Sequence, residues 1–149
     1  MTLSCRMALT FAAAAMLTAP ALAQPDQAFT RQADDPALEW ADCPGFMPEG
    51  CGLAVLQGDP GQRNADVFFR LPGGATAIRH WHSSAERMVL VSGQMSIDTD
   101  GQDAVTLHTG DYAYMPARLP HSAECVSEEA CVLFIAFEDP VDAVEGAPE

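Results

Sequence analysis

The chain contains no lysine, and its entire basic complement is seven arginines set against 21 acidic residues, a formal net charge of −14 at pH 7. Without lysine, Schiff-base chemistry of any kind is excluded. An acidic balance this strong repels the phosphates of nucleic acids and the surface of anionic membranes, so neither is expected as a partner. Beyond the N-terminal stretch no apolar run approaches the ~20 residues that span a bilayer, and no membrane-inserted segment is expected. From Asp66 onward helical periodicity is missing too, which leaves strands as the building material. Histidine is scarce, with four in the chain.

What is present begins with a processing signal. Arg6 gives a positive start, residues 7–18 form an apolar, alanine-rich run, and Ala21-Leu22-Ala23 is an A-x-A site before Gln24. This is the layout of a secretory signal peptide over residues 1–23, cut after Ala23, and it places the mature protein in the periplasm or outside the cell. Cys5 precedes the apolar run, which speaks against lipid attachment at the cleavage site. Removal of the segment takes Arg6 with it and leaves six arginines against 21 acidic residues, about −15, in a chain sized for one domain.

Four cysteines remain: Cys43, Cys51, Cys125 and Cys131. An even number in an exported chain favours disulfides over a thiolate metal site. Of the three pairings, spacing favours Cys43 with Cys51 and Cys125 with Cys131. HSAEC and CVLFIAF read as the two strands of a hairpin around loop 126–130, which would oppose Cys125 and Cys131 directly. Each staple is worth roughly 2–3 kcal/mol by loop entropy. Buried free thiols are the alternative.

Residues 24–60 read as an irregular arm, broken by Pro25, Pro36, Pro44 and Pro48, with a first strand only at residues 53–56. Residues 61–138 are short strands separated by turn residues, among them DVFFRL, AIRHWH, RMVLV, QMSID, AVTL and YAYM, the pattern of an all-β sandwich or barrel. Residues 139–149 are acidic, carry Pro140 and Pro148, and read as a mostly disordered tail.

The chemistry concentrates in residues 74–93, GATAIRHWHSSAERMVLVSG, where His80, His82 and Glu86 fall at G-x5-H-x-H-x3-E-x6-G spacing. Alternate residues of a strand share a face, so the two imidazoles lie side by side while Trp81 points away. Ser83, Ser84 and Ala85 fit a tight turn, after which Glu86 faces back across the ladder. His121 follows 35 residues after Glu86. His108 precedes a turn and reads as an exposed strand end.

This spacing resembles the first motif of the cupin superfamily, and residues 110–125, GDYAYMPARLPHSAEC, are similar to the second, G-x5-P-x-G-x2-H-x3-N. The resemblance covers roughly residues 66–137 and implies a double-stranded β-helix, or jelly-roll barrel, with His80, His82, Glu86 and His121 as metal ligands. Two positions depart from the pattern: Arg118 stands where the family has glycine, and Cys125 where it has asparagine. A disulfide at Cys125 would account for the second departure. In this family N-terminal segments often pack on a partner subunit, which raises a homodimer contacted through Trp40, Phe46 and Met47; packing within one subunit is the simpler reading.

Three imidazoles and a carboxylate suit one divalent transition metal ion, Fe, Mn, Ni, Cu or Zn, and neither the all-oxygen shell of calcium nor the thiolate shell of structural zinc. In an octahedral ion four protein ligands leave two positions for a small molecule. The imidazoles must be neutral to coordinate, so binding is expected to strengthen from pH 5 to 7. Substrate contacts are sought at Arg118, Tyr112 and Tyr114, with Arg70 and Arg79 behind them, Arg79 having the parity of the outward Trp81 unless a bulge intervenes. The leading expectation is a metal-dependent oxidoreductase or dioxygenase acting on a small molecule; the alternative is a non-catalytic module that binds metal or a small ligand. An enzyme predicts an acid or base beside the metal in a polar cavity, and a binder predicts an apolar one.

Overall fold

The computed structural model describes residues 27–149, of which 27–30 belong to a separate N-terminal unit and 31–149 form one body. The expected signal peptide and its cut after Ala23 lie outside the described residues. The body holds eleven strands and, among the described residues, no helix: β1 Trp40–Asp42, β2 Gly52–Gln57, β3 Ala65–Leu71, β4 Thr76–Trp81, β5 Glu86–Ser92, β6 Gln94–Thr99, β7 Val105–His108, β8 Tyr112–Met115, β9 His121–Cys125, β10 Cys131–Phe137 and β11 Val144–Glu145. They build a six-stranded sheet in the order β1-β2-β3-β10-β5-β8 and a five-stranded sheet in the order β11-β4-β9-β6-β7. All pairings are antiparallel.

Strand alternation decides what goes inside. On β3, Val67 and Leu71 are buried in the main core, and on β10 Leu133, Ile135 and Phe137 join them, with Leu90 from β5 and Met95 and Ile97 from β6. Phe68 and Val132, one step out of phase, face the opposite side of the six-stranded sheet and are covered there by Leu38 and Trp40 of the arm. Burying a side chain of this size stabilises by about 1.5–3 kcal/mol, so the arm contributes a second, smaller core. Met47 packs against the main core, and Phe46 lies 6.3 Å from the His80 ring. All three arm residues therefore find partners within their own subunit.

Three expectations need correction. The arm is more regular than its prolines suggest: β1 forms before the expected first strand and pairs Trp40 with Ala54. The acidic tail is folded, because β11 extends the five-stranded sheet by pairing Val144 with Trp81 and Glu145 with His80. Cys125 and Cys131 are joined, as Cys43 and Cys51 are, each pair with Cα atoms 5.6 Å apart; but β9 and β10 lie in different sheets, so the bond ties one sheet to the other instead of closing a hairpin. Gly93 sits against this staple with φ +85°, and a Cβ there would lie 2.8 Å from the Cys131 sulfur. Only glycine fits that position without displacing the disulfide.

Candidate metal centre

A bulge makes the centre. Between β4 and β9 the register runs from Ala77 opposite Ala123 to His80 opposite His121, three steps on one strand against two on the other. The extra residue turns both Ile78 and Arg79 outward, so Ala77 can be buried in the core while His80, an odd number of residues on, still faces in. Arg79 consequently points away and pairs with Asp100 at the surface. His82 follows β4 on the inner side, Glu86 opens β5, and His121 opens β9 directly across from His80.

The four side chains are buried, from 2% exposed at Glu86 to 8% at His82. The three imidazoles each offer one nitrogen to a common point, with these atoms all within 4.8 Å of one another. Ring centroids are 4.4 Å apart for His80 and His121, and 4.9 Å for His80 and His82. Glu86 Oε2 reaches 3.5 Å from His82 Nε2 and 3.9 Å from His121 Nε2, closing the fourth side.

Each ring is fixed from behind. His80 Nδ1 donates to the carbonyl of Ile78 at 2.7 Å, His121 Nδ1 to that of Leu119 at 3.0 Å, and His82 Nδ1 to that of Asp142. A carbonyl oxygen can only accept, so Nδ1 holds the proton and Nε2 presents its lone pair. The Asp142 carboxylate accepts in turn from the Ser83 amide at 2.8 Å, and Ser84 Oγ accepts from the amides of Glu138 and Asp139 at 3.0 Å each. The tail thus orients a ring of the centre, a role its reading as disordered hid. The apolar stretch Val141-Asp142-Ala143-Val144 within the acidic run was the available signal.

Burial sets the charges. Desolvation lowers the His80 pKa to about 4 and that of His121 to about 3, and lowers that of His82 as well, while desolvation, reinforced by the Asp142 carboxylate, raises Glu86 to about 8. At neutral pH the metal-free centre therefore holds neutral imidazoles and a protonated carboxyl, and the short histidine–glutamate contacts are not ion pairs. Glu86 Oε2 has no hydrogen-bond partner among the described residues. An unpaired buried oxygen beside three converging lone pairs is costly without a cation and fully used with one, so these residues fit a divalent metal.

The centre opens into a cavity of about 260 Å³. Its walls are Leu53, Phe69, Met88, Leu133, Ile135 and Phe137 from the sheets, residues 41–44 and Met47 from the stapled arm, and Val141, Asp142 and Ala143 from the tail. The structure does not bring the expected substrate contacts here. Tyr112 and Tyr114 share the outer face of β8, more than half exposed, because alternation turns Ala113 and Met115 inward. Arg118 lies over the Trp81 ring at 4.8 Å and donates to the carbonyl of Glu149; Arg70 lies over Trp40 at 4.2 Å. Arg118 does adopt φ +64°, the left-handed conformation glycine would take at that position.

Comparison with known proteins agrees with this architecture. The family model described as the cupin domain matches residues 67–137. Oxalate decarboxylase OxdC of Bacillus subtilis (strain 168) is 33% identical over 79 residues, 50% of this chain but only 20% of that protein. Among solved structures, DMSP lyase DddQ from Ruegeria pomeroyi DSS-3 superposes with a TM-score of 0.62 at 18% identity, over 73% of this chain and 63% of that one. Oxalate decarboxylase from Bacillus subtilis gives 0.56 at 22%, over 66% and 28%. A conserved protein with a double-stranded β-helix domain from Klebsiella pneumoniae gives 0.55 at 15%, over 66% and 89%. At these identities the structural likenesses speak to the fold. The two-sheet barrel, both motifs and the family match converge: the chain belongs to the cupin superfamily.

Proposed function

We propose that the protein is an exported cupin that holds one divalent transition metal ion, Fe, Mn, Ni, Cu or Zn, on Nε2 of His80, His82 and His121 and on the Glu86 carboxylate, and uses it as an oxidoreductase or dioxygenase on a small molecule in the adjoining cavity. The observation that carries this is the convergence of three buried imidazole nitrogens, each ring locked by a backbone carbonyl, beside a buried carboxyl oxygen with no hydrogen-bond partner among the described residues. When bound, such an ion supplies Lewis-acid or redox chemistry.

The chain's own residues supply the rest. The carbonyls of Ile78, Leu119 and Asp142 fix ring rotation and tautomer. Glu86 gives up its proton on binding and returns one negative charge to the site. Phe69, Met88, Leu133 and Ile135 keep water from the reacting molecule and leave its orientation to shape. The two disulfides are compatible with a periplasmic or secreted location.

One observation favours the second reading, a non-catalytic module that binds metal or a small ligand. Apart from the proposed ligands, the only ionisable residues lining the cavity among the described residues are Asp42 and Asp142, so a proton-transfer step would have few groups to use. The experiment is to load the protein with each metal, offer small molecules that bind the cavity, and follow their loss together with oxygen uptake. Metal-dependent turnover, abolished in His121→Ala, supports the enzyme; ligand bound and returned unchanged supports the module.

A further inference from the structure

We propose that residues 43–51, the connection from β1 to β2, form a lid over the buried histidines, and that the Cys43–Cys51 disulfide is its latch: a dithiol that reduces this bond opens the cavity. The proposal takes from the metal-centre reading only that His80 is one of the groups so covered.

Outside the two sheets, the cavity is lined by Cys43, Pro44 and Met47 of this connection and by residues 141–143 of the tail. Phe46 sets its ring 6.3 Å from that of His80, and Met47 packs against the main core. The ladder between β1 and β2 ends at the pair Asp42 and Gly52. Beyond it the Met47 amide donates to the Pro44 carbonyl at 2.8 Å and the Cys51 amide to that of Pro48 at 3.1 Å, while Gly50 takes φ +82°. With the sulfurs joined, residues 44–50 are a short closed loop; with them parted, the free segment grows to 43–51 and regains the entropy that the cross-link removed. Phe46 and Met47 are then its main apolar anchors, so it opens at lower cost than any strand of the sheets.

The two disulfides differ in reach. Cys125 and Cys131 have no exposed surface, whereas Cys43 is partly exposed and Cys51 is 4% exposed. A thiolate must reach a sulfur to break the bond behind it, so a dithiol attacks Cys43 and spares the staple between the sheets. Its first sulfur bonds to Cys43 Sγ, the bond to Cys51 Sγ breaks, and Cys51 leaves as a thiolate that takes up a proton. The second sulfur of the dithiol then displaces Cys43, which is protonated in turn. Two electrons and two protons pass to the protein, and the dithiol becomes a disulfide. The barrel stays tied at Cys125–Cys131 while the lid is released.

The test follows access to His80 by its rate of carbethoxylation with diethyl pyrocarbonate in metal-free protein at pH 7, read by peptide mass spectrometry against His108, whose side chain is 68% exposed. Dithiothreitol under native conditions should reduce Cys43–Cys51 at least tenfold faster than Cys125–Cys131. His80 labelling should rise at least tenfold in the reduced protein and in Cys43→Ser with Cys51→Ser, and severalfold in Phe46→Ala, which keeps both disulfides. Cys125→Ser with Cys131→Ser should stay within twofold of wild type. The two bonds span similar sequence separations, 8 and 6, so this pair of variants separates release of the lid from general loss of stability. In zinc-loaded protein, removal of zinc by EDTA should be at least tenfold faster in Cys43→Ser with Cys51→Ser. Equal reduction of the two disulfides, or His80 labelling within twofold of wild type in both the reduced protein and Phe46→Ala, overturns the proposal even if the double serine variant does not fold. Absence of bound zinc with the labelling difference intact would count against the metal centre and leave the lid standing; bound zinc with unchanged labelling and removal rates does the reverse.

Discussion

The same strands carry opposite physics at their two ends. β9 begins at His121 and ends at Cys125, β5 begins at Glu86 and leads to Gly93, and β10 runs from Cys131 to Phe137, which lies 5.8 Å from the His82 ring. At the Cys131 end a disulfide joins the two sheets over a close-packed glycine. At the other, three imidazoles and a carboxyl are buried without charge. One end stabilises the barrel and the other burdens it. The histidines' lowered pKa values mean that stability falls as pH drops from 6.5 toward 4, where the unfolded chain takes up protons; Glu86's raised value means that its contribution, full below about 4.5, is lost as pH rises through about 8.

Breaking the contrast at the open end should give the largest effect. With His80 and His121 already neutral above about pH 4, His82 also lowered by burial, and Glu86 protonated up to about 8, a metal must displace one proton from Glu86, so affinity rises roughly tenfold per pH unit, about 100-fold from pH 6 to 8, and then levels. The rise therefore continues past pH 7, where free imidazoles would level off, up to about pH 8. Titration of zinc by calorimetry at several pH values reads it, and Glu86→Gln should flatten the slope. A flat wild-type profile would mean that Glu86 is not a ligand.

Breaking the other end should leave the metal alone. Cys125→Ser with Cys131→Ser is expected to lower unfolding stability by about 2 kcal/mol in denaturant titrations, with zinc stoichiometry unchanged; loss of metal would show that the two ends are not separable. Ser84→Ala probes the join between tail and centre. It strands the amide of Asp139 and leaves that of Glu138 only its 3.4 Å bond to the Ala85 carbonyl, costing about 1–3 kcal/mol, and should weaken zinc severalfold by loosening the carbonyl that holds His82. The smallest effect is expected for Arg118→Gly. Relief of the φ +64° conformation, about 1 kcal/mol, opposes loss of the contact over Trp81, so unfolding stability should move by less than ~1 kcal/mol; a larger drop would mean that the arginine supports the turn before His121.

The grouping of His80, His82 and Glu86 was legible because their spacing is local: alternation aligns His80 with His82, and a three-residue turn returns Glu86; His121, 35 residues further on, was reached only through the family resemblance. The cysteine pairs were legible for the same reason, yet the route of the second was not, since strand polarity along the chain does not reveal which sheet each strand joins. The tail and arm were misjudged on composition. Proline and acidic residues mark segments poor in core-forming side chains, but Trp40, Met47 and Val141 suffice to anchor them where a sheet already offers an open edge or face. The tyrosines of β8, expected near the site, lie on the outer face through parity, which a single strand cannot assign without its neighbours.

The most direct test of the metal centre is metal content per chain in untagged protein, compared with His82→Ala and His121→Ala variants that remain folded. One equivalent of a divalent transition metal in the wild type, and less than a tenth of that in either variant, is the expected result. Equal occupancy in wild type and variants, or no uptake by the wild type from a metal-supplemented buffer at pH 8, would contradict the account.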